Sequence, residues 1–301
     1  MGCCSGRFSK PPDPEPVLTK SKNQEVIDKT NFSSVHSNYF SNRQSFYKKT
    51  FNVTSVENKK LNDELEELSL ARESINIEKI SKLLASDTAI VMEPDAVLHT
   101  WAENPKTIST LAAIQLGIFA SDKDIGKTPK FLQDMIKYKV VDTLADFVRT
   151  EDRDKYEAGV LALSFMTDNN NEITEILLKK NVISVLIKLM RDRKEGLKAT
   201  AALCCRNLYV ARPIVQKVFI REGGSELLVS LLDSDDSVTV FETILNILDL
   251  LLDSEDTVQP DVKKHLISLG IQDHLERISR ETSRYEQETI KEAEKLGQLF
   301  D

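Results

Sequence analysis

Ile220-Arg-Glu-Gly-Gly-Ser-Glu-Leu-Leu228 reads as the end of one helix, a sharp turn and the start of a second helix. Gly223 stands where an apolar stretch stops, and glycine adopts the left-handed backbone that closes a helix without a steric penalty. The pattern recurs at Ile136-Lys-Tyr-Lys-Val-Val-Asp-Thr-Leu144, Leu178-Lys-Lys-Asn-Val-Ile-Ser-Val-Leu186 and Ile267-Ser-Leu-Gly-Ile-Gln-Asp-His-Leu275. Successive copies begin 42, 42 and 47 residues apart. Self-similarity at a fixed period of this length indicates stacked helical units, each unable to bury its apolar face alone.

The same physics repeats inside each unit. The apolar stretch ends at Lys139, Asn181, Gly223 or Gly270. A second helix then shows apolar residues at helical spacing, as in Val141, Leu144, Phe147 and Val148, or Ile183, Leu186, Ile187 and Met190. A charged turn follows (149–154, 191–195, 233–236), and a third helix closes the unit over Tyr156 to Thr167, Leu197 to Tyr209 or Val238 to Leu252.

Composition agrees with an all-α chain. Aromatics make up 6% of the 301 residues, and ten Gly and nine Pro are few for a sandwich or barrel of this length. The formal charge of -8 is unevenly spread: residues 1–60 carry +5 and the remainder -13. A basic tail on an acidic body suits a negatively charged membrane leaflet, whereas a nucleic-acid reader needs a basic folded part. The four cysteines form two adjacent pairs, Cys3-Cys4 and Cys204-Cys205, which make neither a disulfide framework nor a zinc spacing. No run is long enough for a membrane-spanning helix, and the first fifteen residues lack a secretory signal, so the Asn-x-Ser/Thr matches at Asn31 and Asn52 carry no weight.

The stretch Ile220 to Leu232, with Ala201-Ala-Leu-Cys-Cys-Arg-Asn207-Leu208, resembles the armadillo repeat: an apolar-Gly turn, a Leu-rich second helix and a third helix ending in Asn-Leu. Three helices per unit favour this family over the two-helix HEAT repeat. The resemblance implies a right-handed superhelical solenoid of about four to five repeats with atypical capping helices. Residues 106–280 match as regular units. Residues 61–105 read as an N-terminal cap and irregular first unit, with Asn62 to Arg72 as the capping helix, Ile77 to Ala85 and Asp95 to Trp101 as candidate helices, and Thr107 to Ala120 as a third helix. Residues 281–301 read as a closing helix over Glu281 to Phe300.

The chain opens Met1-Gly2-Cys3-Cys4-Ser5-Gly6-Arg7. Gly2 is the residue a myristoyl transfer requires once Met1 is removed, although Gly6 stands where the usual pattern has Ser or Thr. One myristoyl chain gives only reversible binding, with an association constant on the order of 10⁴ M⁻¹, so a second signal is needed. Cys3 and Cys4 are placed to supply it by palmitoylation. Residues 1–60 then form a basic tether, opening with the extended Pro11-Pro12-Asp13-Pro14-Glu15-Pro16 stretch. The tether aromatics Phe32, Tyr39, Phe40, Phe46, Tyr47 and Phe51 either pack along the solenoid or form a partner motif. An acylated start joined to little except repeats is similar to armadillo proteins of organelle surfaces, known from the yeast vacuole and from apicomplexan secretory organelles.

Other motifs carry little chemistry. Ser121 to Thr128 ends like a phosphate loop but lacks the first glycine and follows a helix. Asp233 to Ser237 matches half of a calcium loop, with Val238 at the glycine position and Ile244 at the bidentate position. His36, His99, His265 and His274 are scattered, and no nucleophile has a partner at recognisable spacing. Cys204 and Cys205 lie among Ala and Leu as packing residues. We therefore expect no enzyme, metal or cofactor, the only additions being covalent myristate and palmitate. The resemblance places the binding surface on the concave face lined by third helices. Its peptide-gripping asparagine is present only at Asn207, with Phe165 and Asp249 at the equivalent positions, so an importin-like peptide groove is not expected. Arg206, Asn207, Glu242, Asn246 and Asp249 form the candidate contact strip.

The expected role is a non-enzymatic adaptor, peripheral and lipid-anchored on the cytosolic side of a secretory organelle, vacuole, endosome or plasma membrane. It would recruit a motor, tether or signalling protein, possess no nucleic-acid or small-molecule ligand, and have organelle positioning as a fitting use. A soluble armadillo carrier of peptides or nuclear cargo and a regulatory subunit of an enzyme are the alternatives.

Overall fold

A computed structural model describes residues 59–90, 106–167, 170–253 and 255–300. The described residues form fifteen helices: α1 (Lys59–Glu73), α2 (Ile77–Leu83), α3 (Ile108–Ser121), α4 (Pro129–Lys137), α5 (Val140–Arg149), α6 (Arg153–Met166), α7 (Asn171–Lys179), α8 (Val182–Leu189), α9 (Glu195–Ala211), α10 (Pro213–Arg221), α11 (Gly224–Leu231), α12 (Ser237–Leu251), α13 (Pro260–Ser268), α14 (Ile271–Arg280) and α15 (Gln287–Gln298). The fold is an all-α solenoid, as the repeat pattern implies. The two isolated bridges, Ala89 with Thr107 and Leu252 with Val258, only pin loops.

Local chemistry sets where each helix begins. Pro129, Pro213 and Pro260 open α4, α10 and α13. Proline suits that position because its ring presets the helical φ and its missing N–H had no partner there. Asn170 performs the same start for α7 by accepting from the N–H groups of Glu172 and Ile173. Among third helices, Thr107, Asp152 and Asp236 cap α3, α6 and α12.

The repeated turn is the same in four units. Lys139, Asn181, Gly223 and Gly270 have φ of 57°, 52°, 83° and 79°. In each, the N–H of the turn residue donates to the carbonyl three residues back: Ile136 at 3.0 Å, Leu178 at 3.0 Å, Ile220 at 3.1 Å and Ile267 at 3.0 Å. Gly223 and Gly270 meet the left-handed requirement without strain. Lys139 meets it at a cost of about 1 kcal/mol, which surrounding packing must offset.

Packing arranges the helices in rows. Third helices α3, α6, α9, α12 and α15 each pack on the next. α3 and α12 are apolar almost all round and buried along nearly their whole length, as expected for helices enclosed by neighbours. Gly117 on α3 permits a close approach: a Cβ there would lie 3.0 Å from the Ala162 Cα on α6. First helices form a second row, α7 packing on α5 and α10 on α8 of the preceding unit.

Two sequence expectations shift in detail. The closing helix expected over Glu281 to Phe300 is α15 alone, because Arg284 and Tyr285 are used in the preceding turn to reach back to the α11–α12 connection. This helix takes the third-helix place of a last unit formed with α13 and α14. The first unit contains α1, α2 and α3; the candidate helix Asp95 to Trp101 lies outside the described residues.

Candidate protein-binding groove

The row of third helices brings Arg206 and Asn207 on α9 beside Glu242, Asn246 and Asp249 on α12. Of the five, Arg206 and Asp249 pair with each other, while Asn207 and Asn246 bond residues outside the set. Arg206 Nε donates to Asp249 Oδ2 at 2.5 Å, with both side chains mostly covered. Burial alone would lower the pKa of this guanidinium; Asp249 and Glu242 more than offset it, so the pKa is raised and the charge is fixed.

Asn207 is turned inward. Its amide Nδ2 donates to the Ser164 carbonyl at 3.1 Å and to Thr167 Oγ1 at 3.2 Å, tying α9 to the end of α6. Asn246 is only 2% exposed. Tyr209 donates its hydroxyl to the Asn246 carbonyl at 2.6 Å and also contacts the Asn246 side-chain oxygen. Burial pushes the Tyr209 phenol well above its ordinary value. Glu242 is also buried. Arg206, Asn207 and Asp249 are thus the partly exposed members of the five, and the Arg206–Asp249 pair leaves that surface neutralised.

Two buried features of this row are not legible from the contact strip alone. Glu157 on α6, 2% exposed, accepts from Arg153 Nε and Lys194 Nζ, each at 2.8 Å. Since Lys194 directly precedes α9, this carboxylate joins two units. Glu292 on α15 similarly accepts from Lys295 at 2.5 Å.

The remaining candidates resolve into structure. Cys204 and Cys205 are fully buried, and burial raises the Cys204 thiol to about 12 and holds the Cys205 thiol well above its ordinary value. Ser225 Oγ lies 2.8 Å from His265 Nε2, but Ser225 is fully buried and donates to Glu226 at 3.0 Å, so the acid bonds the serine rather than orienting the imidazole. Asp233 and Asp235 take Arg277 and Arg284, each at 2.6 Å, and Asp236 caps α12. No group of three or more potential metal ligands occurs among the described residues. A cleft of about 380 Å³ lined by Asp142, Arg149, Ile176, Lys179, Lys180 and Asn181 opens between α5 and α7, away from the third-helix row. The lipidation candidates Gly2, Cys3 and Cys4 lie outside the described residues.

Comparison with solved structures decides the architecture. The armadillo repeats only protein from Plasmodium falciparum superposes with a TM-score of 0.68 at 23% identity, covering 82% of this chain and all of that one. The chain has the armadillo-repeat fold. A designed armadillo repeat protein in complex with the peptide (KR)4 matches with a TM-score of 0.58 at 17% identity, over 92% of this chain and 96% of that chain. A computationally designed armadillo protein for modular peptide recognition matches at 0.58 and 16% identity, over 91% and 95%. No family profile and no curated protein matches the sequence. At these identities the armadillo likeness concerns the backbone, and the side chains of the groove are this chain's own.

Proposed function

We propose that this protein is a non-enzymatic adaptor, held on the cytosolic face of a membrane by acyl chains at Gly2, Cys3 and Cys4, that recruits a protein partner through its row of third helices. The observation that carries the reading is the pairing of Met1-Gly2-Cys3-Cys4 with a body consisting of armadillo units. A solenoid offers a long, preformed surface and little enclosed volume for chemistry, which fits recruitment. The designed neighbours described as peptide-recognition proteins support a peptide or protein ligand, although the lone groove asparagine is used internally here. Concentration at a surface lets modest contacts suffice. The partner is a motor, tether or signalling protein, and organelle positioning is a fitting use.

Gly2→Ala tests the anchor. The adaptor reading expects the variant to move from the membrane fraction to the soluble fraction, while folding unchanged. Equal distribution of both forms would favour a soluble carrier with an unmodified tail.

A further inference from the structure

The row of first helices carries a charge opposite to that of the body as a whole. Residues 61–301 sum to -13, yet Lys137, Lys139, Lys179, Lys217, Arg221 and Lys264 all stand exposed on α4, α7, α10 and α13 or on the turn residue that follows. Four of them, Lys139, Lys179, Lys217 and Lys264, have no ion-pair partner among the described residues. On the third helices, by contrast, Arg153, Arg206 and Lys295, and Lys194 just before α9, are each spent on a carboxylate, leaving Lys291 as the exposed lysine of α15. Of the four acids on these first helices, Asp134 pairs with Lys130 at 3.0 Å and Glu175 with Arg212 at 3.0 Å, while Glu172 and Asp261 stand exposed in the first turns of α7 and α13, leaving the four helices net positive.

The same row exposes apolar side chains. Ile214 on α10 is 64% exposed and Ile267 on α13 is 39% exposed, both among the lysine-bearing helices. Unpaired cations beside exposed aliphatic groups suit an anionic lipid surface: the ammonium groups reach headgroup phosphates and carboxylates while the aliphatic tips enter the interfacial zone. The cations also sit at the negative ends of α4, α7 and α10, a local benefit that does not require them to lack partners across four units.

We infer that the first-helix row is a membrane-docking face for an anionic leaflet, which lays the solenoid along the bilayer. The inference rests on the membrane residence proposed above, and adds an orientation that acyl chains on a tether cannot supply.

The test uses the full chain with an unmodified N-terminus and vesicles of phosphatidylcholine containing phosphatidylserine at 0.1 M salt. Three proteins are compared: the parent, a first-helix variant (Lys139→Glu, Lys179→Glu, Lys217→Glu, Lys264→Glu), and an equal-charge control outside the first helices (Lys79→Glu, Lys188→Glu, Arg193→Glu, Lys291→Glu). All eight positions are exposed, and circular dichroism checks that each variant folds. The docking face predicts that the first-helix variant loses about tenfold or more in vesicle partition while the control changes less than about twofold. Equal losses in both variants, or none in the first-helix variant, overturn it, the latter pointing to an acidic protein as the occupant of this row. The anchor reading fails by a different measurement, absence of fatty acid on Gly2, which leaves the vesicle result standing.

Discussion

At the scale of single residues, the adjacent thiols of Cys204 and Cys205 illustrate how burial dictates chemistry. A thiol reacts as thiolate, and burial holds both in the neutral form. In unacylated protein, Ellman's reagent should count two of the four thiols before denaturation and four after it; three or four in the native state would contradict the buried placement. The raised values also set a pH dependence. The unfolded chain loses these protons from about pH 8.5 upward while the folded chain keeps them, so stability is full below that pH and falls as it rises, by about 2 kcal/mol per thiol at pH 10. Urea midpoints at pH 7 and pH 10 measure the slope, and Cys204→Ala with Cys205→Ala should reduce it. Gly224 poses a packing constraint: a Cβ would come within 2.4 Å of the buried Phe219 ring. Gly224→Ala should therefore destabilise by about 1–3 kcal/mol, read as a lower urea midpoint with unchanged slope.

At the scale of elements, neighbouring units are joined by a few polar clamps over a continuous apolar interface. Arg277 reaches Asp233 and the Leu232 carbonyl, and Arg284 reaches Asp235 and the Asp233 carbonyl, so the last unit grips the α11–α12 turn. Because a solenoid's units touch only their neighbours, Arg277→Ala with Arg284→Ala should speed hydrogen exchange in α13, α14 and α15 and leave α4 to α9 unchanged. Uniform acceleration along the chain would contradict that modularity. Glu157 is the counterpart between α6 and α9; Glu157→Ala removes the carboxylate that Arg153 and Lys194 share and should cost about 2 kcal/mol. The turns were readable in advance, since Asn181, Gly223 and Gly270 are the residue types the left-handed conformation admits, and Lys139 followed by register. The clamps were not readable, because Arg277 to Asp233 and Lys194 to Glu157 join residues roughly one unit apart, and nothing local to either partner marks the pairing. The groove candidates show the same limit: spacing puts Asn207 and Asn246 on third helices, but only packing reveals that Ser164, Thr167 and Tyr209 occupy them.

For the whole molecule, charge and lipid act together in the proposed account. A basic tether, a row of unpaired lysines on the first helices and an acidic remainder would make the solenoid two-sided toward a negatively charged leaflet, with its third helices free for a partner. The repeat period and the composition carried the architecture, because a 42-residue unit with three apolar faces has few ways to bury them. The account's central claim is that this spiral is tied to a bilayer by fatty acids at its first residues, and intact mass analysis of the N-terminal peptide from native material tests it most directly. The account predicts loss of Met1, myristate on Gly2 and palmitate on Cys3, Cys4 or both; a peptide that retains Met1 and carries free thiols would contradict it.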